Sequence, residues 1–256
     1  MSASEASLYE EMILESNDRS KTVDLKLGTI SFDYYENLFS PTITAKVRVF
    51  NTGDTVAVEG EKERQSIYNG LPLRGGERLS FKILDHGKTG KGDEKKGLDF
   101  TDPTQNLIVS SIVDVISENQ RESFQLNLVS REAITNETSR VFKKYSAKIS
   151  ASVETILTDP RIGFKLDKSK YDIDSTTNDY KFLGNLRKPF TVLVWLAAKS
   201  VPDKSEDKTA GFLFFQTQDG FKFKSIDSLT KQDSKATYTY TEINESSIGK
   251  NNDFNI

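Results

Sequence analysis

Cysteine is absent from the 256 residues, histidine and tryptophan occur once each, and methionine occurs twice. Without cysteine there is no disulfide, no thiolate metal site and no thiol nucleophile, which suits a reducing compartment. With a single histidine, any Ser-His-Asp arrangement has to use His86, and no G-x-S-x-G elbow is present to supply its serine. A zinc site would have to be dominated by carboxylates, which is atypical of that ion. Positive charge is not in excess either: 35 Lys and Arg stand against 38 Asp and Glu, a net charge of −3. A chain of that balance offers a polyanion no general cationic surface. Long apolar runs are missing as well. The densest, "FTVLVWLAA" from Phe190 to Ala198, is about half of the roughly 20 residues a membrane-spanning helix needs and reads as a buried helix. The segment from Met1 to Glu11 has neither a basic nor an apolar region of a signal peptide, so the protein is expected in a cytosol. The sequons at Asn136 and Asn244 then carry no glycan.

What is present is periodicity, and it changes once along the chain. From Thr22 to about Val129 the period is mostly two. In "TITAKVRVF" the residues Ile43, Ala45, Val47 and Val49 alternate with polar neighbours, as do Phe124, Leu126 and Leu128 in "SFQLNLVS", the pattern of half-buried strands. The run from Leu107 to Val129 reads as an antiparallel hairpin, and this half as a β-barrel or sandwich. The stretch "HGKTGKGDEKKG" from His86 to Gly97 interrupts it as a mobile surface loop. Beyond Ser130, Ile149, Val153, Ile156 and Leu157 form one helical stripe that Asp159-Pro160 ends. A second helix is expected near Pro189, with Trp195 turned inward. The order of elements predicts an α+β protein: an antiparallel β-barrel domain over residues 1–130, then a mixed helix and β-hairpin region over 131–256.

The stretch "AGFLFFQTQDGFKFKSIDSL" from Ala210 to Leu229 reads as a hairpin turning at Asp219-Gly220. Phe212, Phe214, Phe221 and Phe223 then share a core face, since cross-strand aromatic pairs are ordinary sheet stabilisation. Leu213 and Phe215 fall opposite, beside Lys222 and Lys224, where a subunit contact or a covering helix would use them. Chemistry-bearing motifs fail on spacing. The glycines around His86 do not match a phosphate-binding loop. "DIDSTTND", from Asp172, has Thr177 where a calcium loop needs glycine and Leu183 where it needs glutamate. A carboxylate pair for glycan cleavage stays open, as does a glycan-binding β module. No catalytic, cofactor-binding or metal residue is assigned, and a structural protein is favoured over an enzyme.

Three stretches carry a resemblance: "YYENLFSPTITAKVRVFNTG" (Tyr34 to Gly53), "SIYNGLPLRGGERLSFKI" (Ser66 to Ile83), and "RKPFTVLVWLAAKS" taken with the hairpin above. In that order, and along nearly the whole chain, the sequence resembles the central baseplate hub protein of T-even-type contractile-tailed phages. The resemblance implies a structural virion protein with two related tail-tube-like β-barrel domains, forming a homotrimeric ring of pseudo-sixfold symmetry. It implies contacts with the tail tube protein, the central spike protein and baseplate wedge proteins. DNA would pass only in transit through the lumen, assembly would occur in the host cytoplasm, and the chain would neither insert in a membrane nor need a cofactor. A tail-tube-like protein of another contractile injection system is the neighbouring alternative. Carried onto this sequence, Tyr35, Leu38 and Phe39 shape the turn into the first barrel, and Tyr68, Leu71 and Arg74 lie near a neighbouring subunit. Arg74, Glu77 and Arg78 are candidates for ion pairs between subunits. The family continues through further strands where this chain ends in "TEINESSIGKNNDFNI", so residues 131–256 are expected to hold a C-terminally incomplete second tube-like domain.

Overall fold

The computed structural model describes residues 7–56, 64–84, 97–118, 121–203 and 211–233. His86 with its loop up to Lys96, the Asn244 sequon and the polar C-terminal stretch lie outside these residues. In the first half, β1 (Leu8–Glu15), β2 (Thr22–Asp24), β3 (Thr29–Tyr35) and β4 (Thr44–Thr52) are followed by a single helical turn, α1 (Ile67–Gly70). Then come β5 (Arg78–Leu84), β6 (Gly97–Asp99), β7 (Leu107–Glu118) and β8 (Arg121–Val129). The strands pair antiparallel in the order β2-β1-β5-β7-β8-β4-β3, with β6 sharing β5. The alternation read from β4 and β8 is the one that folds: Ile43, Ala45, Val47, Val49, Phe124, Leu126 and Leu128 are all buried. β1 escapes the alternation rule because its register shifts between Tyr9 and Glu11, which breaks the period just where Met12 and Leu14 enter the core.

The ladder does not close into a barrel. β2 and β3, adjacent in sequence, sit at its opposite ends and do not pair. The turn between them crosses the gap instead. The Leu25 amide donates to the Met12 carbonyl on β1, and the Phe50 amide of β4 donates to the Gly28 carbonyl. Rings from β3 meet rings from elsewhere in the core, Phe32 to Phe81 at 4.8 Å and Tyr34 to Phe100 at 5.6 Å between centroids. The sheet is thus curled around one core and tied by chain rather than by strand pairing.

The second half packs a separate core. It comprises α2 (Arg131–Thr138), β9 (Lys144–Lys148), α3 (Ile149–Thr158), β10 (Tyr171–Ile173), β11 (Asp179–Leu183), α4 (Pro189–Ala197), β12 (Phe212–Thr217), β13 (Gly220–Ser225) and α5 (Ile226–Thr230). β10 runs parallel to β13, which pairs antiparallel with β12, while β9 and β11 form a two-stranded sheet. The stripe Ile149, Val153, Ile156 and Leu157 is buried, as its spacing predicts. α4 starts at Pro189, and the amide of its second residue, Phe190, donates to Asn136 Oδ1 at 2.8 Å. Asn136, the asparagine of the other sequon, is buried in α2 and satisfies this first free amide of α4 from a neighbouring helix.

Besides the expected barrel, which stays an open curled ladder, two expectations differ from the fold. Trp195 is 40% exposed: α4 is apolar nearly all round, and the face with Phe190, Val192, Leu193 and Leu196 wins the core, leaving Val194 and Trp195 outside. The aromatic hairpin turns at Gln218-Asp219 rather than Asp219-Gly220, since Thr217 pairs with Gly220 and Phe214 with Phe223. A two-residue shift preserves parity, so the four phenylalanines still share the core face. The reason lies in Gly220. Its φ is +110°, and a Cβ there would come 2.2 Å from the Lys170 carbonyl oxygen in the 3-10 turn Lys168–Lys170. Gly220→Ala is expected to destabilise the fold by more than about 2 kcal/mol in urea denaturation, combining backbone strain with a clash against main chain. A change within about 0.5 kcal/mol would show that this approach is not tight.

Candidate functional site

Candidate sites fall into two kinds, a seam between the two cores and apolar side chains held in solvent. The seam is polar and is organised by Gln216 on β12, only 6% exposed. Its Oε1 accepts from the Ile43 amide at 3.3 Å, and its Nε2 donates to Glu132 Oε2 at 3.1 Å. Ser130, which caps α2 by accepting from the Ala133 amide, lies 2.9 Å from the Thr42 hydroxyl. At the hairpin turn, the Gln218 amide donates to Glu36 Oε1 at 2.7 Å, and the same carboxylate oxygen accepts from the Tyr34 hydroxyl at 2.8 Å. Burial, and then that hydrogen bond to Glu36, push the Tyr34 hydroxyl far above the usual phenol range.

Beside this seam lies a cleft of about 490 Å³, with Ile43 and Phe100 on one wall and Phe164, Lys165, Lys170 and Phe221 on the other. Its charged groups are of both signs, with Arg131, Lys165 and Lys170 against Glu132 and Asp167, and Lys170 lies 3.8 Å from Asp102 across the seam. Among the described residues no group of three or more His, Cys, Asp or Glu side chains converges to hold a metal ion.

The loop that forms the cleft's far wall is anchored at Asp159. This carboxylate is buried, which by itself would raise its pKa, but Lys143, the Arg161 guanidinium and the Arg161 amide all bond to it and hold it well below the usual carboxylate range. Tyr145 nearby is pushed up to about 12 by burial and then by the Asp159 charge.

The residues singled out from sequence fall into three places. Tyr35, the last residue of β3, and Leu38 and Phe39, on the loop that follows it, are all exposed, Phe39 by 84%. Lys46 lies 5.9 Å above the Tyr35 ring. Around α1, Arg74 is exposed and Tyr68 is half-buried against Phe124. Leu71, however, is 1% exposed and belongs to the first core. On β12, Leu213 is half-buried and Phe215 is 5% exposed. Leu71 and Phe215 are therefore not presented to a neighbour. Glu77 is also withdrawn. It is fully buried and accepts from the Arg74 and Gly75 amides at 2.7 and 2.9 Å, fixing its own turn rather than pairing with another subunit. Leu27, Ile30, Leu183 and Leu186 are exposed large apolar residues that the sequence pattern does not single out.

No protein-family model matches the chain, and no curated protein matches it. Solved structures similar to it include prophage tail proteins and a secretion-system component. The 43 kDa tail protein of prophage MuSo2 from Shewanella oneidensis aligns over 85% of this chain and 53% of its own at 10% identity, with a TM-score of 0.49. Prophage tail protein gp18 from Listeria monocytogenes EGD-e aligns over 92% and 56% at 11% identity, with a TM-score of 0.45. An E. coli component of the type VI secretion system, described as structurally similar to the bacteriophage T4 tail proteins gp27 and gp5, aligns over 86% and 47% at 9% identity, with a TM-score of 0.39. The chain spans about half the length of these structures. At such scores the likeness assigns no activity. Among the described residues no helix is long and apolar enough to cross a membrane.

Two outcomes test the seam and its anchor. Gln216→Leu leaves the buried Ile43 amide unpaired and should cost about 1–3 kcal/mol in urea denaturation; a neutral result would mean the seam does not depend on it. Because the folded Asp159 is depressed, its contribution is complete above the unfolded carboxylate value near about 4 and is lost as pH falls through the folded value. Asp159→Asn should flatten the acid side of the stability profile below about pH 4, and an unchanged acid slope would contradict the assignment.

Proposed function

We propose that this chain is a non-enzymatic structural protein of a contractile phage-type tail, forming the homotrimeric central hub ring of the baseplate. In this reading the ring seats the hexameric tail tube on one face and holds the trimeric spike on the other. Wedge proteins surround it, and its lumen is part of the DNA channel. Its place is the virion tail, after assembly in the host cytoplasm.

The observation that carries the reading is the exposure of large apolar side chains on a chain whose two cores are otherwise well filled. Phe39, Leu27, Ile30 and Leu186 all stand in solvent. Of the exposed residues, Tyr35, Leu38 and Phe39 fall within five positions of one another, and an apolar set of that kind is what a partner would cover. The end of β3 and the loop after it, with Tyr35, Leu38 and Phe39, belong to the first stretch of the hub resemblance, so the exposed apolar set and the family signature coincide. The seam is compatible as well, since a polar junction lets two tube-like units keep a fixed angle without fusing their cores.

The test is the solution mass of the purified chain by light scattering across a concentration series, with negative-stain imaging of any assembly. Rings of three subunits are expected. A monomer at every concentration would overturn the reading for this chain alone.

A further inference from the structure

Charge is distributed unevenly along the sequence in a way the net value conceals. Residues 1–130 hold 15 Lys and Arg against 21 Asp and Glu, a net of −6, while residues 131–256 hold 20 against 17, a net of +3. The two halves fold around separate cores, so the polarity of the sequence becomes a polarity of the molecule. Bodies of this kind attract one another head to tail, acidic half against basic half.

Each half also carries a place where exposed apolar side chains and charges of its own sign that lack an ion pair meet at a strained backbone, with one opposite charge at each place, Asp179 on the β11 face and Arg121 across from Glu118. In the second half it is the outer face of the β9–β11 sheet. Its register puts Lys181 opposite Ser146 and Leu183 opposite Lys144 on that face, while Tyr180, Phe182 and Tyr145 turn inward. The chain then runs through Asn185 and Leu186, at φ +49° and +55°. A leucine rarely adopts this conformation, and here its side chain is 67% exposed. Neither the strain nor the exposure helps the isolated protomer, and strain of this kind persists where function uses it. In the first half the corresponding place is the distal part of β7. The strand is irregular between Val113 and Ile116, with Asp114 at φ +54°. This bulge turns Val115 and Ile116, the latter 58% exposed, into solvent between Asp114 and Glu118. Lys144, Lys181, Asp114 and Glu118 make no ion pair with any described residue.

We infer that these two surfaces dock on one another between copies of the chain: the Asp114–Glu118 arm of one protomer lies on the Lys144, Lys181, Leu183 and Leu186 face of the next. The inference rests on the assembly reading above and names the contact through which that assembly forms. Val115 and Ile116 meet Leu183 and Leu186 at the centre, and the two acids face the two lysines at the edge. Such a contact joins two different surfaces, so it propagates from copy to copy and ends only when a ring closes. A second copy is the occupant the charges select, because each surface finds its complement on the same chain.

The test is a charge-exchange cycle on the full chain, read by sedimentation or light scattering at low and at high salt. Lys144→Glu with Lys181→Glu should weaken association at least about tenfold at low ionic strength, and Asp114→Lys with Glu118→Lys should do the same. All four changes in one chain should restore most of it. Association of the unaltered protein should weaken as salt is raised. Leu186→Gly should also weaken association, while the thermal midpoint of the protomer stays level or rises because glycine accepts the left-handed conformation. Rings that persist unchanged in every variant would overturn this contact and leave the assembly reading standing. Exchanges that weaken association without restoration in the fourfold variant would also overturn it. A wild-type chain that remains monomeric would remove the assembly reading, and the contact with it.

Discussion

The first half of the molecule depends on a conflict in its strand order: β2 and β3 are neighbours in sequence but terminate opposite ends of the ladder. A flat sheet would place those ends too far apart for the turn Leu25 to Gly28 to span. The sheet must therefore curl until β1 and β4 approach, and hydrogen bonds from the Leu25 and Phe50 amides fix the distance at which it stops. Phe32, Phe81, Tyr34 and Phe100 then fill the interior as a cluster of rings. The curl also decides what is left outside, since Leu27 and Ile30 lie in and just beyond the turn that ties the gap and project into solvent.

The second half solves a different problem, that of fixing itself to the first without a shared apolar core. The junction uses a glutamine of the second half and a glutamate of the first, whose oxygens accept main-chain amides across it, Gln216 from Ile43 and Glu36 from Gln218. Such bonds are directional and weak individually, so they set an angle rather than supplying most of the stability. The carboxylates of Glu77 and Glu122 act in the same way inside the first half. Glu122 accepts from the Ile67 and Tyr68 amides at the start of α1, which spares that short turn an unpaired N-terminus.

Strand alternation in β4 and β8 and the helical stripe of α3 were legible because each has one apolar face and one polar face. α4 was legible as a helix but not in its orientation, because "FTVLVWLAA" is apolar on every side and nothing local says which side Trp195 takes. β1 was hidden by its bulge, and the turn of the aromatic hairpin by a contact with Lys170, fifty residues away. Of the candidate surface, Tyr35, Leu38 and Phe39 were found through a resemblance and are exposed. Leu71, carried over from the same resemblance, and Phe215, read from the hairpin's face parity, are buried, since residue type does not reveal which side of a loop or strand the rest of the chain will cover. Leu186 left no local signal at all: its interest comes from a backbone angle.

The separation of the two cores along the sequence has a consequence for synthesis. The buried residues of the first core end at Leu128, whereas those of the second run from Val141 to Phe223. A chain emerging from the ribosome can complete its curled sheet before the strand that closes the second core exists, because β10 waits for β13, about fifty residues later, to form its parallel pair. The seam is sealed last, by Gln216 and Gln218, against a surface already folded to receive them.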